Sequence, residues 1–172
     1  MSDMNSVDIE IAIIMTMFPP RRFLVLPNAS WGLQIQYEMD LLVISKAGCG
    51  YEIEIKISVA DMKRDLKKWK HRSGAVTLDR RIKQFYYAFP AALSDKIAPF
   101  IPDYAGAISV AVDEYGIYRT QVVKSAPIRK DVRKFTDDEI KHAGLLAQMR
   151  YWDIRKNIHK NGARTQFVAV SA

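Results

Sequence analysis

Apolar residues recur along the chain with two periods, and the change from one to the other marks out the elements. Residues 3–18 place Ile9, Ala12, Ile13 and Thr16 on one helical face, and Pro19-Pro20 stops the run. A short apolar segment at 22–26, closed by Pro27-Asn28, predicts a strand. Segments 37–45 and 51–58 predict paired strands joined by Lys46-Ala47-Gly48-Cys49-Gly50, whose two glycines suit a hairpin turn. The period turns helical over 59–72, with Met62, Leu66 and Trp69 at apolar spacing, Ser58 as N-cap and Asp61 in the first turn. Gly74 argues against a longer helix and leaves 73–81 unassigned. Residues 83–89 predict a strand ended by Pro90, and 91–99 a short helix confined by prolines. Residues 107–112 and 117–123 predict a second hairpin around Asp113-Glu114-Tyr115-Gly116. Thr136-Asp137-Asp138-Glu139 is a capping-box signature, opening a long helix to about Lys160 that Asn161-Gly162 ends. No repeat or linker divides the chain. Residues 1–163 therefore read as one domain and 164–172 as a C-terminal tail, with an α/β fold in which helices flank a mixed β-sheet on both sides.

Composition narrows the class. The chain has 172 residues, 49% of them hydrophobic and 26% charged, with 8 Gly and 7 Pro, which excludes a disordered or collagen-like chain. One cysteine, Cys49, excludes an internal disulfide framework. The apolar run at 11–18 is too short to span a bilayer, and Asp3, Asp8 and Glu10 lead into it where a signal peptide would be basic. The expectation is a soluble cytoplasmic protein with no membrane partner. Against 19 Asp+Glu stand 26 Lys+Arg, a net charge of +7 that favours polyanions, nucleic acid above all. The basic residues cluster at Lys56, Lys63, Arg64, Lys67, Lys68, Lys70, His71 and Arg72. Further clusters are Arg129, Lys130, Arg133 and Lys134, and then Arg150, Arg155, Lys156, His159 and Lys160. A phosphate-binding face and a merely solvated one both fit this pattern.

Candidate chemistry concentrates in Tyr51-Glu52-Ile53-Glu54-Ile55-Lys56-Ile57-Ser58. Strand alternation puts Glu52, Glu54 and Lys56 on one face and Ile53, Ile55 and Ile57 on the other. Asp40 lies 54 − 40 = 14 residues before Glu54, and a hairpin through Gly48 brings the two strands together. Two converging carboxylates offer hard oxygen ligands for Mg2+ or Mn2+, and an adjacent lysine can orient water or offset phosphoryl charge. A cross-strand ion pair on a solvated face is the alternative. Glu38 and Glu52 read as solvent-facing, and Asp61 and Asp65 as helix-surface partners of Lys68 or Lys70. Trp69 and Trp152 read as packed, and Tyr86, Tyr87 and Phe89 as core or half-buried strand residues. His71, His142 and His159 lack zinc spacing with Cys49. The sequence also holds no Ser/His/Asp arrangement and no P-loop.

At these residues the chain resembles the PD-(D/E)XK nuclease superfamily, in a branch of bacterial DNA-repair proteins. Asp40 matches the acid on the first strand, and Glu54-Ile55-Lys56 matches the E-x-K on the next. The run from Ser58-Val59-Ala60-Asp61-Met62-Lys63-Arg64-Asp65 through Leu66-Lys67-Lys68 looks like the helix that follows, and Phe85-Tyr86-Tyr87-Ala88-Phe89-Pro90 like a later strand. The likeness covers roughly residues 8–112. Met39 stands where the named motif has proline. The resemblance implies a restriction-endonuclease-like fold and metal-dependent hydrolysis of DNA, endo- or exonucleolytic, in repair, recombination or phage DNA processing. Asp40, Glu54 and the Ile55 carbonyl would hold Mg2+ or Mn2+, Lys56 would act beside the ion, and Glu10, or else Asp8, would be a helical acid. Asp65 and Lys68 would support the site, and Lys63, Arg64, Lys67, Lys70 and Arg72 would meet DNA. A homodimer cutting two strands is one arrangement open to so small a domain, and a catalytically silent DNA-binding module of the same fold is the alternative function.

Overall fold

A computed structural model describes residues 4–71 and 78–170, and their side chains apart from Trp31, Trp69 and 160–170. The first helix, α1 (Ser6–Thr16), buries the predicted face of Ile9, Ala12 and Ile13. Asn5 caps it: its Oδ1 accepts from the Val7 and Asp8 backbones, while Asp8 Oδ2 accepts from the Asn5 N–H at 2.9 Å. Then come β1 (Phe23–Ala29), β2 (Met39–Ser45) and β3 (Gly50–Ile55), a meander of antiparallel neighbours. β1 runs through Pro27 where the sequence predicts a stop. It has one neighbour only, so an edge strand loses little by lacking that N–H. In the β2–β3 turn Gly48 adopts φ +77°, and a Cβ there would lie 2.9 Å from the Phe135 carbonyl oxygen.

Helix α2 (Val59–Asp65) crosses from β3 to the parallel strand β4 (Ile82–Pro90). Ser58 caps it as expected, accepting from the Asp61 N–H at 3.1 Å. The helix ends at Asp65, short of the predicted residue 72, and a 3-10 turn follows at Trp69–His71. Continued α-helix would carry residue 71 about 9 Å along the axis and a third of a turn away from residue 65. The turns at 66–68 instead break the helix axis, and His71 Nε2 comes within 2.9 Å of Asp65. A short helix, α3 (Ser94–Ile97), leads to β5 (Gly106–Val112), parallel to β4, and β6 (Tyr118–Lys124) closes the second hairpin. The last helix, α4 (Asp137–Val170), opens with the predicted box, Thr136 and Glu139 bonding each other's backbone N–H. It runs through Asn161-Gly162, so residues 164–170 are helix, where the sequence reading puts a tail.

The six strands form one mixed sheet in chain order. Alternation sends Leu41, Val43, Ile53, Ile55, Ala88, Ile108 and Val110 to the face covered by α1. The opposite face carries two clusters. Leu26, Leu42, Ile44 and Ile82 pack with Ala143 of α4, and Phe85, Tyr87 and Phe89 pack with Met62 of α2 and Ile97 of α3. Helices thus flank both faces of an α/β sheet. Among the described residues, no helix is long and apolar enough to cross a membrane.

Candidate active site

Between those two apolar clusters lies a strip of buried charge. On β3, Glu52 and Glu54 point to the same face as Leu42 and Tyr87, and both are almost fully buried. Glu52 was expected in solvent; it is instead buried against Tyr37 and Lys70. Tyr37 donates its hydroxyl to Glu52 Oε2 at 2.7 Å, and Lys70 Nζ lies 3.2 Å from Glu52 Oε1 and 2.6 Å from Glu54 Oε1. Lys56 Nζ takes the other Glu54 oxygen at 2.8 Å. Burial pushes the Glu52 carboxyl up to about 7 even against the Lys70 charge. Burial acts the other way on Lys56 and Lys70, but the surrounding carboxylates outweigh it and both ammoniums are held above their ordinary value.

Asp40 marks where β2 and β3 part. Their ladder ends at Leu41 opposite Ile53, and beyond it Asp40 Oδ2 accepts the Ile55 N–H at 2.7 Å. A side chain thus replaces the missing strand partner. The Asp40 carboxylate lies 3.9 Å from Lys56 Nζ and is 38% exposed. Burial, and then the Glu54 charge, raise its pKa; burial and the Asp40 charge raise that of Glu10 on α1. Glu10 thus lies within electrostatic reach of Asp40. Asp8, the other candidate, is committed elsewhere, to the α1 cap and to the Tyr118 hydroxyl at 2.8 Å. Of the two, Glu10 is the one whose carboxyl responds to the Asp40 charge.

Asp65 closes the far side. Its carboxylate lies 3.3 Å from Lys56 Nζ and 2.7 Å from Lys68 Nζ, and it accepts from Tyr87 Oη at 3.1 Å. Burial opposes its charge, yet the His71 hydrogen bond and the Lys56 charge prevail and hold the carboxyl well below the usual range. His71 Nδ1 meets Tyr104 Oη at 2.7 Å, extending the network outward. Asp65 thus keeps the expected pairing with Lys68, but its own carboxylate is buried and also reaches Lys56. The residues expected to meet DNA divide. Lys70 is buried on Glu52 and Glu54, so it faces no polyanion. Arg72 lies outside the described residues. Lys63, Arg64 and Lys67 are exposed on or just past α2, with Lys63 Nζ 4.8 Å above the Phe100 ring and Arg64 beside Asp61. In the second basic cluster, Arg129 bonds the Asp79 and Ile82 carbonyls and Arg133 pairs with Glu139, so both serve the fold. Trp152 is exposed, against expectation, because α4 outruns the sheet.

Sequence reasoning missed the roles of Tyr37, read as the first residue of a strand that begins at Met39, and of Lys70, read as one of a solvated basic run. The signal available was Glu52: a second acid on an inner strand face demands a cation.

The donor set suits a hard divalent ion only at its outer side. Asp40, Glu52, Glu54 and Asp65 face Lys56, Lys68 and Lys70, four carboxylates to three ammoniums, and Asp40 is the least covered. Carboxylate oxygens with uncompensated charge fit Mg2+ or Mn2+. Glu54, by contrast, has both oxygens on lysines. Among the described residues, no group of three or more His, Cys, Asp and Glu side chains stands assembled around a common point.

No family model matches the sequence, and no curated protein does. The chain is similar to the solved structure of a protein of unknown function from Silicibacter pomeroyi, at 14% identity and a TM-score of 0.58, over 93% of this chain and 95% of that one. That likeness shows a shared fold alone.

Proposed function

We propose that the protein is a Mg2+- or Mn2+-dependent deoxyribonuclease of restriction-endonuclease-like fold, acting on DNA in the cytoplasm. The observation that carries this reading is the meeting of Asp40, Glu54 and Lys56 where β2 and β3 part. There one ammonium lies 2.8 Å from Glu54 and 3.9 Å from Asp40. Helix, acid-bearing strand, E-x-K strand and following helix stand in the order the resemblance implies. Glu10 beside Asp40 supplies the helical acid.

Asp40, Glu10 and the Ile55 carbonyl would hold the ion at the mouth, with Glu54 behind them. The ion's part is to polarise a scissile phosphate and acidify a water. The chain's own residues do the rest. Lys56, kept protonated by its acids, offers positive charge to a developing phosphorane and no base to a proton. Asp65, fixed by His71 and Tyr87, sets where that ammonium stands. Lys63, Arg64, Lys67 and Lys68 line the rim for backbone phosphates.

One observation favours the silent DNA-binding alternative: both Glu54 oxygens are already neutralised by lysines. A single assay separates the two. Purified protein is incubated with single-stranded, duplex and branched DNA and Mn2+. EDTA-sensitive cleavage is expected, falling by about 100-fold or more in Asp40→Ala and Lys56→Ala with circular dichroism unchanged. Salt-sensitive binding without cleavage of any substrate gives the binding module. Cleavage undiminished in both variants removes the site.

A further inference from the structure

Helix α4 continues beyond the body it packs on. Through Ile140, Ala143, Leu146 and Ala147 it lies against the sheet face of Leu26 and Ile44. Leu146 seats so closely over Gly32 that a Cβ there would come 2.8 Å from its Cδ1. From Tyr151 to His159 every side chain is exposed, yet the helix does not turn polar. Leu145, Met149, Tyr151, Trp152, Ile154 and Ile158 are each between 54% and 62% exposed.

At 3.6 residues per turn these six form two stripes. Tyr151, Ile154 and Ile158 prolong the core-facing line of Ile140, Ala143 and Ala147. Leu145, Met149 and Trp152, spaced i, i+4, i+7, lie on the opposite side, which the chain's own body cannot reach. An apolar seam of that spacing is what a neighbouring helix covers. Charge along α4 says which helix. Its start is acidic (Asp137, Asp138, Glu139), its exposed stretch is basic (Arg155, Lys156, His159), and Lys160 follows in the sequence. Asp138 is almost fully exposed. A second α4 laid antiparallel, with the two-fold axis at Met149, sets Leu145 of each copy at the level of Trp152 of the other. The same alignment brings Asp137 and Asp138 level with Lys160 and its neighbours. A parallel alignment would set acid on acid and base on base.

We infer that α4 is a homodimer interface, on which a second copy of this chain lays its own α4 antiparallel along Leu145, Met149 and Trp152. The contact is isologous, so it closes on itself. It does not depend on the nuclease reading.

Sedimentation of the full chain from about 1 to about 100 µM tests it. The expected mass is twice the 19.7 kDa of one chain. Met149→Glu sets two carboxylates across the axis and raises the dimer dissociation constant by about 100-fold or more. Trp152→Ser does the same by removing the end of the seam. Both sites are exposed, so thermal unfolding of the separated chain stays in place, and Asp138→Lys weakens the pair by roughly threefold to tenfold. A chain that stays monomeric over the whole range overturns the inference, as does a dimer indifferent to both Met149→Glu and Trp152→Ser. So does a monomer that instead binds phosphatidylserine vesicles through these residues, which would assign the seam to a lipid surface.

Discussion

Lys70 gives the sharpest test of the buried charge. Its ammonium bridges Glu52 and Glu54, two carboxylates with at most 1% exposure. Lys70→Met fills a similar volume and removes the bridging charge. Breaking a buried pair by taking one partner costs about 3–5 kcal/mol, because the remaining charge stays buried. In a chain of this length each kcal/mol moves the midpoint by about 2–4 °C, so thermal unfolding should begin roughly 6–20 °C lower. The pH dependence follows from Glu52. Burial already raises its carboxyl to about 7 with Lys70 present, against 4.5 for the ordinary group. An acid whose folded pKa is raised binds more protons in the native state, so it makes stability fall as pH rises through the window from 4.5 to that pKa. Removing the ammonium raises the folded value further and stretches the window upward. The deficit of Lys70→Met should therefore be smallest near pH 6 and widen above pH 7, read by circular dichroism at pH 6, 7 and 8. Glu52→Gln added to Lys70→Met should return much of the loss and flatten the pH trend. A midpoint unchanged at pH 8, or a deficit that grows toward acid, would refute the charge bridge.

Further outcomes concern the acids of α1 and α2. Glu10→Ala should lower Mn2+-dependent cleavage by about tenfold or more, while Asp8→Ala should leave cleavage alone and cost about 1 kcal/mol of stability through the lost α1 cap, seen as a small drop in midpoint. Asp65 has its folded pKa lowered, so its stabilisation is present above the ordinary value of 3.8 and lost as pH falls through the folded value. Asp65→Asn should lower the midpoint at pH 7 by several degrees and make the acid limb below about pH 4 shallower, in the same unfolding assay.

What the sequence made legible is what period and caps encode. The alternation of Ile53 and Ile55 with Glu52 and Glu54 put the acids on one strand face, and Ser58 and Thr136 announced the two helix starts that the structure has. The end of α2 was not legible, because Met62, Leu66 and Trp69 keep a helical period. The chain leaves the helix at 66–68 for tertiary reasons, as Lys70 and His71 turn back to β3 and Asp65. The role of Lys70 was hidden for the same reason: a lysine in a basic run reads as solvated until a buried glutamate claims it. The reach of α4 past Gly162 was missed because Asn-Gly is a stop signal only where the chain has reason to turn.

The strip of charge carries an argument of its own. A buried ion network is at best near break-even against apolar side chains of the same volume, and a sheet face between two apolar clusters is where apolar packing would serve stability better. Leu42 and Ile82 on one side and Phe85 and Tyr87 on the other show how readily this face takes such residues. Placing Glu52, Glu54, Lys56, Asp65 and Lys70 among them makes sense if the charges perform chemistry at the open end, where Asp40 meets solvent. Glu52 and Lys70 lie deepest and touch no solvent, so their part is to hold Glu54 in one place with its charge defined. A variant that restores stability without them, such as the double Glu52→Gln, Lys70→Met, then separates the two roles. If the network exists for the site, that protein folds well and works badly; if it exists for the fold, activity follows stability.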